Sequence, residues 1–216
     1  MSVPPGVTLR AGFPEQARET AARLYWTAFS GKLGKLMGPD DRGVRFFVRV
    51  LDPGHAISAV GPDGALLGFA GFKTDKSAFA GGSLADLSAI YGWAGALWRA
   101  PLLALLERDT SPDQLLMDGI AVVPEARGLG IGSLLLDAIL DEARARGKTS
   151  VRLDVIDTNP RARALYERRG FQAIGDETTG PFARLFGFRS ATRMHADLDP
   201  APSTGATPRA GRSGSP

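Results

Sequence analysis

LLMDGIAVVPEARGLGIGSLLLDAILDEARARGKTSVRLDVIDTNPRARALYERRGF, residues 115–171, is the stretch that decides the fold. An apolar strand over residues 115–123 leads into a glycine loop, Arg127-Gly128-Leu129-Gly130-Ile131-Gly132, and a helix follows over residues 130–146. Ile131, Leu134, Leu135, Ala138 and Ile139 fall on one face of that helix, and Gly147 ends it. A strand over 151–156 comes next, then a helix with Asn159 placed as N-cap, Pro160 at its first position and Arg169-Gly170 at its end. The loop sits where a helix begins. Backbone N–H groups there lack intrahelical partners, and the helix dipole adds positive potential. With no side chains at Gly128, Gly130 and Gly132, an anion such as a pyrophosphate can approach that backbone closely.

Outward from this stretch the chain reads as α/β. A short strand is expected over 7–10, a helix over 15–29, and a second helix reaching about Leu51 with Asp40 or Asp41 as its cap. Apolar runs over 56–60 and 65–74 flank Gly61-Pro62-Asp63-Gly64, a hairpin-turn signal. Two more strands are expected over 171–174 and 191–198. Antiparallel strands followed by a strand–helix–strand crossover imply a mixed sheet covered by helices. Residues 1–198 are read as one domain. The tail, 199–216, is rich in Pro, Gly, Ser, Thr and Ala, carries no large apolar residue, and is expected to be disordered.

Composition narrows the function. The 216 residues are 44% hydrophobic, enough for one domain with a real core. Without cysteine there is no disulfide, thiolate metal site or cysteine nucleophile. His55 and His195 are far apart and lack ligand spacing, so no metal is expected. The net charge of +3 is spread along the chain and does not indicate a nucleic-acid surface. The first residues, MSVPPGVTLR, lack the charged-then-apolar pattern of an export signal, so the cytoplasm is the expected compartment.

The spacing of the loop discriminates among phosphate binders. A nucleoside-triphosphate loop needs Gly-Lys-Ser/Thr, and no lysine is present. The dinucleotide fingerprint needs a third glycine where Ser133 or Leu135 stands, although Asp154 lies roughly where a ribose-binding acid would be. The pattern that fits is Arg-x-x-Gly-x-Gly at Arg127, Gly130 and Gly132, after Val123-Pro124. Asn159, Ala162, Leu165-Tyr166-Glu167 and Gly170-Phe171 follow it. With these two halves in order, the chain resembles the GNAT superfamily of acyl-CoA-dependent N-acetyltransferases.

The resemblance implies a mostly antiparallel sheet with a central, splayed parallel pair and helices on both faces. It implies acetyl-CoA as co-substrate, with its pyrophosphate on the backbone amides of Arg127, Gly128, Leu129, Gly130, Ile131, Gly132 and Ser133. The strand residues Ile120, Ala121, Val122 and Val123 would lie along the pantetheine arm, and Asn159, Ala162 and Tyr166 beside it. Tyr166 matches the tyrosine that commonly protonates the departing thiolate, and Asp118 is the candidate base. Backbone N–H groups near Val122 are candidates to polarise the thioester carbonyl. Plainer roles stand beside these: Asn159 as N-cap only, Tyr166 as a core aromatic, Asp118 as a solvent-facing acid. A non-catalytic acyl-CoA-binding or sensing module is the alternative to an enzyme.

The acceptor implied is a small-molecule or peptide amine. The family's acceptor-binding regions correspond here to residues 31–43, with Lys32 and Lys35, and 179–189, with Phe182, Phe186 and Phe188. The largest departure from the family pattern is an insertion over 75–114. It carries Leu84, Leu87, Tyr91, Trp93, Leu97, Trp98, Leu105 and Leu106, and is expected to be helical and broken in two by Pro101. It is too interrupted to span a membrane. A lid walling the acceptor, a homodimer surface and an elaboration of the core are its three readings.

Overall fold

A computed structural model shows seven strands: β1 (Thr8–Ala11), β2 (Ala56–Val60), β3 (Leu66–Lys73), β4 (Gln114–Val122), β5 (Ser150–Ile156), β6 (Gln172–Thr178) and β7 (Ser190–Asp197). Among the described residues six α-helices accompany them: α1 (Arg18–Met37), α2 (Asp40–Val50), α3 (Leu84–Ala104), α4 (Ile131–Ala145), α5 (Pro160–Arg168) and α6 (Ala183–Phe186). The structure describes residues 5–198 except 106, 108, 181 and 182, and describes the backbone alone at 32 and 185. The 199–216 tail, Leu106, Phe182 and the side chain of Lys32 lie outside the described residues.

The strands form one sheet in the order β1-β2-β3-β4-β5-β7-β6. Every neighbouring pair is antiparallel except β4–β5, the pair joined through α4. Side chains alternate across the sheet, and each face builds its own core. On one face Phe69 of β3 packs with Tyr25 and Trp26 of α1, Phe46 and Phe47 of α2, and Leu87 of α3. On the other, Phe72 and Leu115 pack with Leu135 and Ile139 of α4 and Tyr166 of α5. Each large side chain so buried contributes about 1.5–3 kcal/mol. Along α4 the buried set is Ile131, Leu135, Leu136, Ile139 and Ala143, so Leu136 takes the core place expected of Leu134.

Three local expectations are corrected. The first helix runs on to Met37 rather than stopping near Phe29. Gly31 and Gly34 in a helix cost roughly 1 kcal/mol each, but Leu36 and Met37 beyond them are fully buried and outweigh that cost. The second helix has Pro39 as its N-cap, with no side-chain cap, so neither aspartate serves there. Asp40 Oδ1 instead accepts a hydrogen bond from Trp26 Nε1 at 3.1 Å. The break in α3 falls at Gly92 (φ +70°, ψ 166°), not at Pro101. Glycine takes a left-handed φ at little cost, whereas Pro101 lies close to the helix end, where few intrahelical bonds remain to be lost.

Candidate active site

Beyond β4 a single 3-10 turn, Pro124–Ala126, leads into the glycine loop. Gly128 (φ +80°) and Gly130 (φ +83°) are both left-handed, a conformation that residues with side chains rarely adopt. A Cβ added at Gly128 would meet nothing within 4 Å, so this backbone faces open space. The N–H groups of Ala126 and Arg127 donate to the Val123 and Pro124 carbonyls at 3.0 and 3.2 Å. Among the described residues none of the six N–H groups over 128–133 donates to a backbone carbonyl. Six donors gathered at the start of α4, with the dipole behind them, suit a diphosphate-bearing ligand.

The strands beside the loop part from one another. β4 and β5 pair only through Gln114–Ser150, Leu115–Val151 and Leu116–Arg152, although both continue, to Val122 and Ile156. Val123 N–H donates to the Leu67 carbonyl at 2.9 Å. Ladder alternation therefore turns the backbone groups of Ala121 and Val123 toward β3, and those of Ile120 and Val122 toward the opening. The Val122 carbonyl accepts Arg127 Nε at 3.1 Å, which ties the exposed arginine to the strand end.

Asp118 stands at an irregularity in β4. The β3 register passes from Gly71–Gly119 to Phe72–Met117, which leaves Asp118 as the extra residue of a β-bulge. The bulge breaks the alternation between Asp118 and Gly119. Leu115 and Met117 belong to the α4 face, whereas Asp118 and Gly119 both turn toward α1. A Cβ on Gly119 would lie 2.4 Å from Phe29 Cζ, so only glycine lets that ring rest on the bulge.

Above the bulge lies a cavity of about 400 Å³. Asp118 and Asp154 stand on the two diverging strands, Lys73 on β3, and Phe29 and Phe46 on α1 and α2. Leu87 and Leu103 of α3 close it from the insertion. The insertion is fastened in place: Tyr91 Oη donates to the Met37 carbonyl, Arg99 Nε donates to the Leu36 carbonyl at 2.7 Å, and Arg49 pairs with Asp86 at 2.6 Å. Tyr25 also lines the cavity, and its phenol is pushed well above the usual range by burial and by the charge of Asp118.

Across the sheet, Tyr166 is buried against Phe171, ring centroids 6.0 Å apart, and burial pushes its phenol up to about 12. Asn159 is the expected cap, its Oδ1 accepting from Ala162 N–H at 3.2 Å. Leu165 of the same helix lies 3.5 Å from where a Gly132 Cβ would be, so α5 borders the start of α4.

The chain matches the Acetyltransferase (GNAT) family over residues 18–171. It belongs to the GNAT acetyltransferases. No protein of curated function matches it in sequence. Solved structures share the fold. The N-acetyltransferase from Staphylococcus aureus Mu50 has a TM-score of 0.61 at 16% identity, over 88% of this chain and 100% of that one. A GCN5-related N-acetyltransferase from Kribbella flavida has 0.59 at 17%, over 90% and 99%. The ribosomal-protein-S18-alanine N-acetyltransferase from Escherichia coli has 0.53 at 16%, over 93% and 99%.

Within this GNAT domain the cavity meets one of the two expected acceptor regions, through Leu33 and Met37 of residues 31–43, and not the other. Phe186 and Phe188 are buried in the core beneath α1, and Lys35 donates to the Arg184 carbonyl. Among the described residues, nothing from 179–189 lines the cavity. The cavity residues that sequence reasoning missed are Tyr25, Phe29 and Lys73, whereas Leu84, Leu87 and Leu103 belong to the insertion that one of its readings made a wall. One signal was present: a glycine inside a strand pattern, Asp118-Gly119, marks a bulge. No helix among the described residues is long and apolar enough to cross a membrane.

Proposed function

We propose that this GNAT enzyme transfers the acetyl group of acetyl-CoA to a primary amine by direct attack within a ternary complex. The run of six N–H donors over 128–133, beside strands that part after Leu116 and Arg152, carries the reading. Arg127 and the amides of residues 128–133 hold the pyrophosphate, and Ile120 and Val122 offer backbone groups to the pantetheine arm. Asn159 caps α5, and Ala162 keeps that helix slim where it flanks the arm. When bound, acetyl-CoA supplies the reactive thioester.

An ammonium acceptor must lose a proton before it can attack, and Asp118, on the cavity floor, takes it. The Val122 N–H polarises the thioester carbonyl. Tyr166 stays protonated at neutral pH because burial opposes its anion. Full transfer from a phenol near 12 to a thiolate near 8.5 runs uphill by roughly 5 kcal/mol. Tyr166 therefore serves the leaving group as a hydrogen-bond donor, and solvent supplies the final proton. A peptide α-amine, such as the alanine in the name of one structural neighbour, falls within the acceptor class.

Gly130→Glu tests the cradle directly, since it puts bulk and negative charge where the donors converge. Calorimetry should show acetyl-CoA binding to wild type and none to the variant; unchanged binding would refute the assignment. Release of CoA thiol against a panel of amines then separates an enzyme from a module that only binds. We also propose that α3 forms a homodimer surface, on the ground that Trp93 (65%), Leu97 (63%) and Trp98 (46%) stand exposed on it.

A further inference from the structure

The cavity beside Asp118 gathers three of its four charged lining residues on one side. Asp118, Asp154 and Lys73 stand on the strands of the floor. The helices contribute apolar side chains, apart from the buried phenol of Tyr25 and the exposed Glu107 just past α3. Phe29 rests on the bulge itself, and Phe46, Leu87 and Leu103 continue the wall away from it. A ligand with one charged end and an apolar body matches this division: the amine faces the carboxylates where β4 and β5 part, and the body lies among the rings and leucines. A polyamine or an aminoglycoside matches it less well, because on the helical side Glu107, exposed at the rim, is the one acid among the described lining residues to pair with its further ammonium groups. The volume of about 400 Å³ lies toward the lower end of small-molecule sites, so the body is compact.

We propose that the acceptor is a small primary amine carrying a single aromatic or branched aliphatic body, and that α3 selects it. This deepens the acetyltransferase reading and rests on it. The insertion then has a physical role as the apolar wall of the acceptor site, which explains why it is tied to α1 and α2 instead of standing free. Ala100 is the wall residue best suited to a test, since it is half-buried on α3 and small.

CoA release by the full-length protein is measured with phenethylamine and isoamylamine, and with spermidine, an aminoglycoside and a lysine-rich peptide. Acetyl-CoA binding is measured separately by calorimetry. The expected result is kcat/KM at least tenfold higher for the two apolar amines. Ala100→Phe is expected to raise their KM tenfold or more while acetyl-CoA affinity and the melting temperature stay within error. Leu103→Asp provides a second probe, through charge instead of bulk, with the same expected pattern. Acetyl-CoA binding together with preference for the polycations, or with no turnover of either apolar amine, overturns the proposal and leaves the cofactor cradle standing. Failure to bind acetyl-CoA at all refutes the acetyltransferase reading itself.

Discussion

Asp118 stands beside a glycine that lets an aromatic ring of α1 close over the strand at that point. Alternation with Met117, which faces α4, already turns Asp118 toward α1; the bulge against Gly71 and Phe72 adds Gly119 to the same face, under the ring of Phe29. As the proposed base, Asp118 should be replaceable by asparagine with little change in acetyl-CoA affinity, while kcat falls about 100-fold. Tyr166→Phe should lower kcat by roughly 10- to 100-fold, the worth of one hydrogen bond to a developing anion. The pH profiles distinguish the two. Because burial raises the Tyr166 phenol to about 12, its proton is retained throughout the neutral range and lost only as pH passes that value. Wild type should thus show no alkaline limb below about pH 10 that disappears in Tyr166→Phe. Such a limb would return Tyr166 to the role of a titrating acid.

Among the elements, α3 shows how local signals and packing share the specification of a helix. Its start is a capping box: Ser83 Oγ accepts from Asp86 N–H at 3.2 Å, and Asp86 Oδ2 accepts from Ser83 N–H at 3.0 Å. Its continuation on both sides of the break at Gly92 is decided by the burial of Leu87, Tyr91 and Ala96 against α1 and α2. Ser83→Ala should destabilise the domain by about 1 kcal/mol, which at this chain length lowers Tm by about 2–4 °C. Asp86 adds a pH dependence. Its carboxyl is held down to about 2 by the Ser83 hydroxyl, the Ser83 N–H and the Arg49 guanidinium. A carboxyl whose folded value is depressed stabilises the fold above its ordinary range and loses that effect as pH falls through the depressed value. Asp86→Asn should accordingly lower Tm at pH 7 and make little difference near pH 2, a comparison that thermal scans at the two pH values supply.

For the whole molecule, one sheet separates two cores, and the parting of its single parallel pair connects them. The glycine loop and α5 flank the parting from one face, while the cavity and α3 lie on the other. The outer side of α3 remains apolar, and light scattering across a concentration series should show a dimer that Trp93→Lys with Leu97→Lys converts to monomer. A monomer at every concentration in the wild type would remove the dimer surface. The amino-acid sequence by itself determined the glycine loop, the Asn159 cap, the hairpin turn and the strand–helix–strand crossover. These depend on residues within a few positions of one another, where glycine φ freedom, capping and hydrophobic period act. Only the tertiary structure decided where Asp118 points, that α1 reaches Met37, and that residues as distant as Tyr25, Leu103 and Asp154 enclose one cavity. Those outcomes depend on strand pairing and burial between segments remote in the chain, whose energies no local pattern contains.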